Sequence, residues 1–74
     1  MLVNYHGHNQ LEVTLGDLLY LLPVYGFEFI GIILNVVEMP FPRQGITYIE
    51  VLTQKGLQKI NTNLIFQMRC LRQI

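Results

Sequence analysis

Charge is what this chain has least of. Only 14% of its 74 residues are Asp, Glu, Lys or Arg, against about a quarter in an ordinary globular protein. It has no tryptophan and one cysteine, Cys70. A single cysteine excludes an intrachain disulfide, a usual support for a chain too short to build a large core. A chain of this size buries only about 60% of the surface its unfolded form exposes, so a partner or an unusually good core must supply the rest. Phosphate-cradling glycine loops are missing, because neither GxxxxGK[ST] nor GxGxxG occurs. The first residues carry no basic stretch followed by an apolar run, as a secretory leader would. Net charge is zero, where a strongly basic face is expected of a nucleic-acid binder.

What is present is apolar: 51% of the residues are hydrophobic. A free monomer of this composition would expose apolar patches, and such patches mark interaction sites. Protein partners are therefore expected, either further copies of the chain or larger structural proteins of an assembly. The few charges are also segregated. Residues 1–50 hold all five acids (Glu12, Asp17, Glu28, Glu38, Glu50) and one base, Arg43, a sum of −4. Residues 51–74 hold Lys55, Lys59, Arg69 and Arg72 and no acid, a sum of +4. Pairing within the folded chain accounts for this most simply. Head-to-tail contact between subunits and a basic patch for nucleic acid are the other readings.

Residues 1–10, MLVNYHGHNQ, read as a polar, aromatic arm without helical period. Gly16-Asp17 is a turn signal before the apolar run that Pro23 ends. The stretch 28–38, EFIGIILNVVE, has one polar residue, Asn35, between its two glutamates, so both faces of a strand there are apolar. Ile30, Ile32, Leu34 and Val36 share one parity; Phe29, Ile33 and Val37 share the other, and these three read as the surplus that asks for a partner. Residues 39–45 hold two prolines and a glycine and read as a loop. Residues 46–53 form a strand with Ile49 and Val51 on one face, and 54–56 a hairpin turn with Gly56 at a positive-φ position. Residues 57–60 are a short strand, and 64–74 a strand with Leu64, Phe66, Met68 and Cys70 facing in, or a helix with Leu64, Ile65, Met68 and Leu71 on one stripe. Leu18 to Val37 has a single charge, but Glu28 near its centre would cost about 2.5–3.5 kcal/mol in a bilayer, and Pro23, Gly26 and Gly31 interrupt it. A small membrane subunit is thus a minor alternative.

Five short strands with close turn signals suggest an all-β fold, a small five-stranded barrel over residues 13–74 preceded by an N-terminal arm, 1–12. The segment VTLGDLLYLLPVYGFEFIGIILNVVE resembles the opening of an SH3-like or KOW-type small barrel, through Val13, Gly16, Asp17, Leu18, Gly31, Ile32, Ile33 and Val36. YIEVLTQKGLQKINTNLIF resembles the closing hairpin and turn of that family. The layout is also similar to small SH3-like accessory proteins of tailed bacteriophages, over about residues 13–66. The tryptophans often found near the hairpin of those proteins are absent, which argues against an aromatic ligand groove. The resemblance implies a non-enzymatic structural or interaction module, a virion accessory protein that decorates a capsid or joins head and tail. Its place would be the virion, or otherwise the cytoplasm. A KOW-like nucleic-acid-binding module is the alternative.

The residues expected at protein contacts are Tyr5, Phe27, Phe29, Ile33, Phe41 and Leu71, with Lys55, Lys59, Arg69 and Arg72 meeting acidic groups. Seven aromatics (Tyr20, Tyr25, Phe27, Phe29, Phe41, Tyr48, Phe66) with Lys55 and Lys59 are what a base-stacking platform would use. His6 and His8 at i, i+2 on an extended arm face one side, but a metal needs more ligands than the pair supplies. Cys70 in an apolar row reads as an inert buried thiol rather than a nucleophile. Glu28 and Glu38 would lie about 33 Å apart on a straight strand, too far for paired acid–base work. No cofactor or metal and no enzymatic activity are expected.

Overall fold

The computed structural model describes residues 1–38 and 46–71. Within them the chain is all-β, as its alternating Ile, Val and Leu residues dictate. The strands are β1 (Leu2–Tyr5), β2 (Asn9–Glu12), β3 (Leu18–Pro23), β4 (Phe29–Glu38), β5 (Thr47–Thr53), β6 (Gly56–Asn61) and β7 (Ile65–Cys70), with a 3₁₀ turn at Thr62–Leu64 before the last. β1 and β2 form a two-stranded sheet, and the other five form an antiparallel sheet in the order β6-β5-β4-β3-β7. The sheet starts from the turn at Gly16-Asp17. Thr14 N–H donates to the Asp17 carboxylate at 2.8 Å, and Gly16 N–H to the Ile33 carbonyl at 2.8 Å, which ties the turn to β4. β5 and β6 are joined through Gln54-Lys55, with Gly56 at φ 102° as the turn requires.

Five expectations are corrected. The five-stranded barrel does not close, because β6 and β7 are the two edges of an open sheet. Residues 1–12 form a hairpin rather than an arm. β1 and β2 lie against β7, and Val3 and Val13 enter the same core cluster as Leu19, Leu21, Ile33, Ile49, Val51, Ile65 and Met68. The hairpin packs at the β7 edge and the 3₁₀ turn and adds Val3 to a core built mainly by the inner face of the large sheet. His6-Gly7-His8 is the tip of this hairpin, with φ 46° at His6 and 84° at Gly7, not an extended segment. The last described segment is a strand, not a helix, but Phe66 faces out. Leu22 pairs with Gln67 and Pro23 with Ile65, so Phe66 is an extra residue in a bulge opposite proline. It is exposed and meets the His6 ring edge-on at 5.3 Å.

The last correction sets the face of β4. Phe29, Gly31 and Ile33 point inward, and Ile33 is fully buried. Ile30, Ile32 and Leu34 point outward and are exposed. The register then shifts between Ile33 and Asn35, and Val36 turns inward opposite buried Ile49. Asn35 would face the core if the alternation continued; the bulge expels it, and its side-chain amide donates to Glu50 at 3.1 Å. Ile33 is therefore core, and Phe29 packs half-buried against it. Neighbouring isoleucines should consequently differ in urea unfolding: Ile33→Ala should lower stability by about 2–5 kcal/mol, and Ile32→Ala by about 1 kcal/mol or less. The reverse ranking would mean that β4 presents its other parity to the core.

Candidate interaction surface

The outer face of the large sheet carries an apolar row that crosses β6, β5, β4 and β3 and ends one residue past β7. Leu57 lies opposite Leu52, Leu52 opposite Ile32, and Ile32 opposite Leu18. Leu71 N–H donates to the Leu18 carbonyl at 2.8 Å, one step beyond the Leu19–Cys70 pair, so Leu71 ends the row. The five side chains are each between 38% and 59% exposed. Along β4, exposed Ile30 and Leu34 flank Ile32 and cross this row at its centre. In-register neighbours on one sheet face stand about 5 Å apart, so the five row side chains adjoin one another, with Ile30 and Leu34 about 7 Å along β4 from Ile32. A contiguous apolar patch on a small surface is the feature that marks a site of association.

Polar groups border the patch on both sides. On one side Tyr20 donates its hydroxyl to Glu28 at 2.6 Å, and the Arg69 guanidinium sits 4.8 Å from the Tyr20 ring centre. On the other side Glu50 lies opposite Lys59, whose ammonium is 5.0 Å from the Tyr48 ring centre. Lys59 and Arg69 thus each lie over a tyrosine of the neighbouring strand. The hydrogen bond to Glu28 pushes the Tyr20 phenol above its usual range; desolvation and the carboxylate's charge add to this, and Arg69 opposes it.

The expected contact residues separate into groups. Phe27 is 93% exposed on the β3–β4 turn, and with Phe29, Ile30 and Lys55 it lines a groove of about 500 Å³ beside the β5–β6 turn. Leu71 belongs to the outer row, while Lys59 and Arg69 stand at its margins. Tyr5 is half-buried against the core with its hydroxyl 3.5 Å from the Met68 carbonyl, and Ile33 is wholly inside, so neither offers a free side chain. Phe41 and Arg72 lie outside the described residues. Sequence reasoning missed Leu18, Ile32, Leu52 and Leu57. The available signal was the parity of Gly31, which shares a face with Phe29 and Ile33 and marks that face as the crowded one.

Chemistry-bearing side chains are scattered. The Cys70 thiol is half-buried and 3.5 Å from the Asp17 carboxylate. Among the described residues no three His, Cys, Asp or Glu are placed to hold a metal ion. No helix among them is long and apolar enough to cross a membrane, and Leu18–Val37 forms β3, a turn and most of β4. No protein-family model, curated protein or solved structure matches this chain.

The Tyr20–Glu28 bond gives a pH signature for this border. One tyrosine should ionise above the ordinary phenol range in an ultraviolet titration, and Glu28→Ala should bring it back toward that range. The sign follows from the donor: only the neutral phenol can give the bond, so the interaction is present at neutral pH and is lost as pH rises through the raised pKa. An unaltered titration in Glu28→Ala would show that the bond does not hold the phenol.

Proposed function

We propose that this chain is a non-enzymatic interaction module that works inside a larger assembly through the outer face of its sheet. The observation that carries the reading is the unbroken aliphatic row Leu57–Leu52–Ile32–Leu18–Leu71. Nothing in folding the chain requires five large aliphatic residues to be in register on the side away from the core. Leaving them in water forfeits the stabilisation their burial would give, on the order of 25 cal/mol per Å². A partner that covers them recovers it.

The fold supports an SH3-like module as the finer reading. A four-stranded meander (β3 to β6) is followed by a 3₁₀ turn and a strand that returns beside the first. The setting the resemblance implies is a tailed-phage particle, with the chain decorating a capsid or sitting at the head–tail junction. The nucleic-acid reading has less support. Leucine and isoleucine side chains offer no π-face to a base, and the two basic side chains flanking the row are already laid over tyrosines.

The reading is tested in an extract of the protein's natural source. The native chain should migrate with a mass far above that of a few copies, and nuclease treatment should leave it there. Leu52→Glu should leave that fraction while keeping a wild-type circular dichroism spectrum and melting curve, because Leu52 faces away from the core. A native chain that migrates alone, or a folded Leu52→Glu chain that stays in the large fraction, overturns the reading. Release by nuclease would give the nucleic-acid module instead.

A further inference from the structure

Building on the outer-face reading, we propose that the occupant of this face is a second copy of the chain, packed sheet to sheet across a two-fold axis through Ile32. A two-fold interface needs a patch that matches itself. In strand order the row reads Leu57, Leu52, Ile32, Leu18, Leu71, with two leucines on either side of the central isoleucine. The column along β4 reads Ile30, Ile32, Leu34, again with one aliphatic residue on either side. A rotation by half a turn about an axis lying between the two sheets, along β4 or across it, lays this cross on its own copy. Aliphatic groups then meet aliphatic groups, and no charged side chain is brought into the centre.

Size and the sheet edges point the same way. Five strands at about 4.8 Å by six residues at about 3.3 Å give a face of roughly 24 by 20 Å. That is about 500 Å² in projection, and more in accessible area because side chains corrugate it. Specific dimers bury roughly 600–1,000 Å² on each partner, so a face of this kind is of the right order. Pairing through the edges is the other way for two copies to join. Here the edges are β6, with Lys59, and β7, with Arg69, so any edge-to-edge union brings a basic strand against a basic strand. The face carries no such repulsion.

The test uses the purified full chain without detergent, by light scattering and sedimentation over a concentration range. The mass should rise from 8.6 kDa to twice that value as concentration increases. Leu52→Glu and Leu57→Glu, each checked for fold by circular dichroism, should weaken the association at least tenfold, and Gln67→Ala should not. Face-packed sheets stand about 10 Å apart, too far for a direct disulfide, so contact at the axis is read with a short bismaleimide on Ile32→Cys in a Cys70→Ser background. Cross-linked dimer is expected there. A wild-type chain that stays monomeric at high concentration, or a dimer indifferent to both glutamate variants, overturns the proposal. If the purified chain is monomeric yet Leu52→Glu still drops out of the large native fraction, the face stands and its occupant is a different protein. If neither experiment responds, the face itself is not the site.

Discussion

Gly31 sets the conditions for everything outside the core. A Cβ at this position would lie 3.1 Å from the Leu52 carbonyl oxygen and 3.2 and 3.3 Å from side-chain carbons of Thr53 and Val51. A side chain there would force β5 to give by a few tenths of an ångström, so a glycine suits this crowded face of β4. That choice drags Phe29 and Ile33 inward with it, because side chains in a strand alternate. It sends Ile30, Ile32 and Leu34 out. The pairing registers then do the rest: Ile32 lies between Leu18 and Leu52, and Leu52 beside Leu57. A single close approach thus decides that the longest apolar strand shows an isoleucine, not a glycine, at the centre of the outer face.

This is also where the sequence was hardest to read. Strands such as β5, with Ile49 and Val51 alternating against Tyr48 and Glu50, declare their buried face, and the structure places both aliphatic residues in the core. The two-residue turn before Gly56 and the tie at Gly16-Asp17 were legible for the same reason, since their chemistry is local. β4 has apolar residues at both parities, so alternation alone is silent about which side is inside. Two residues carried the missing information. Gly31 marks the crowded side, and Asn35 shares its parity, so one bulge has to intervene before Val36 can return to the core. Phe66 was misplaced through a similar register slip, which depends on where Pro23 falls across the sheet and cannot be read from β7 by itself. The hairpin of residues 1–12 was illegible because each of its strands has only four residues, and its place in the fold comes from Val3 reaching a core built by distant segments.

The segregation of charge acquires a physical account once the strand order is known. The last two strands in the chain, β6 and β7, are the two edges of the sheet. Edge strands present unpaired backbone groups that invite further pairing, and a basic side chain there discourages it. Lys59 lies in β6 and Arg69 in β7, with Lys55 at the turn that enters β6. The outward acids Glu28 and Glu50 lie just before β4 and within β5; Glu28 accepts from the Tyr20 hydroxyl and Glu50 from the Asn35 amide. Among the described residues the one ion pair joins the N-terminal ammonium to Glu12 at 3.0 Å; Lys59 and Arg69 lie over tyrosines, so direct pairing of the two charge blocks is not what these two bases serve.

Charge placed at the edges has a consequence for the face between them. A sheet with basic margins is protected along its strands' open sides but not above its outer surface, where Glu50, Lys59, Arg69 and Glu28 stand around the apolar cross without entering it. Water alone would favour breaking such a patch with a lysine or glutamate, as surfaces of small domains usually do. A mutation from leucine to lysine at position 52 or 57 would not crowd the core, since both side chains point away from it. The row is thus uninterrupted at positions where interruption would be tolerated by the fold. Selection for folding does not explain that arrangement; the proposed covering of the face by a complementary one would.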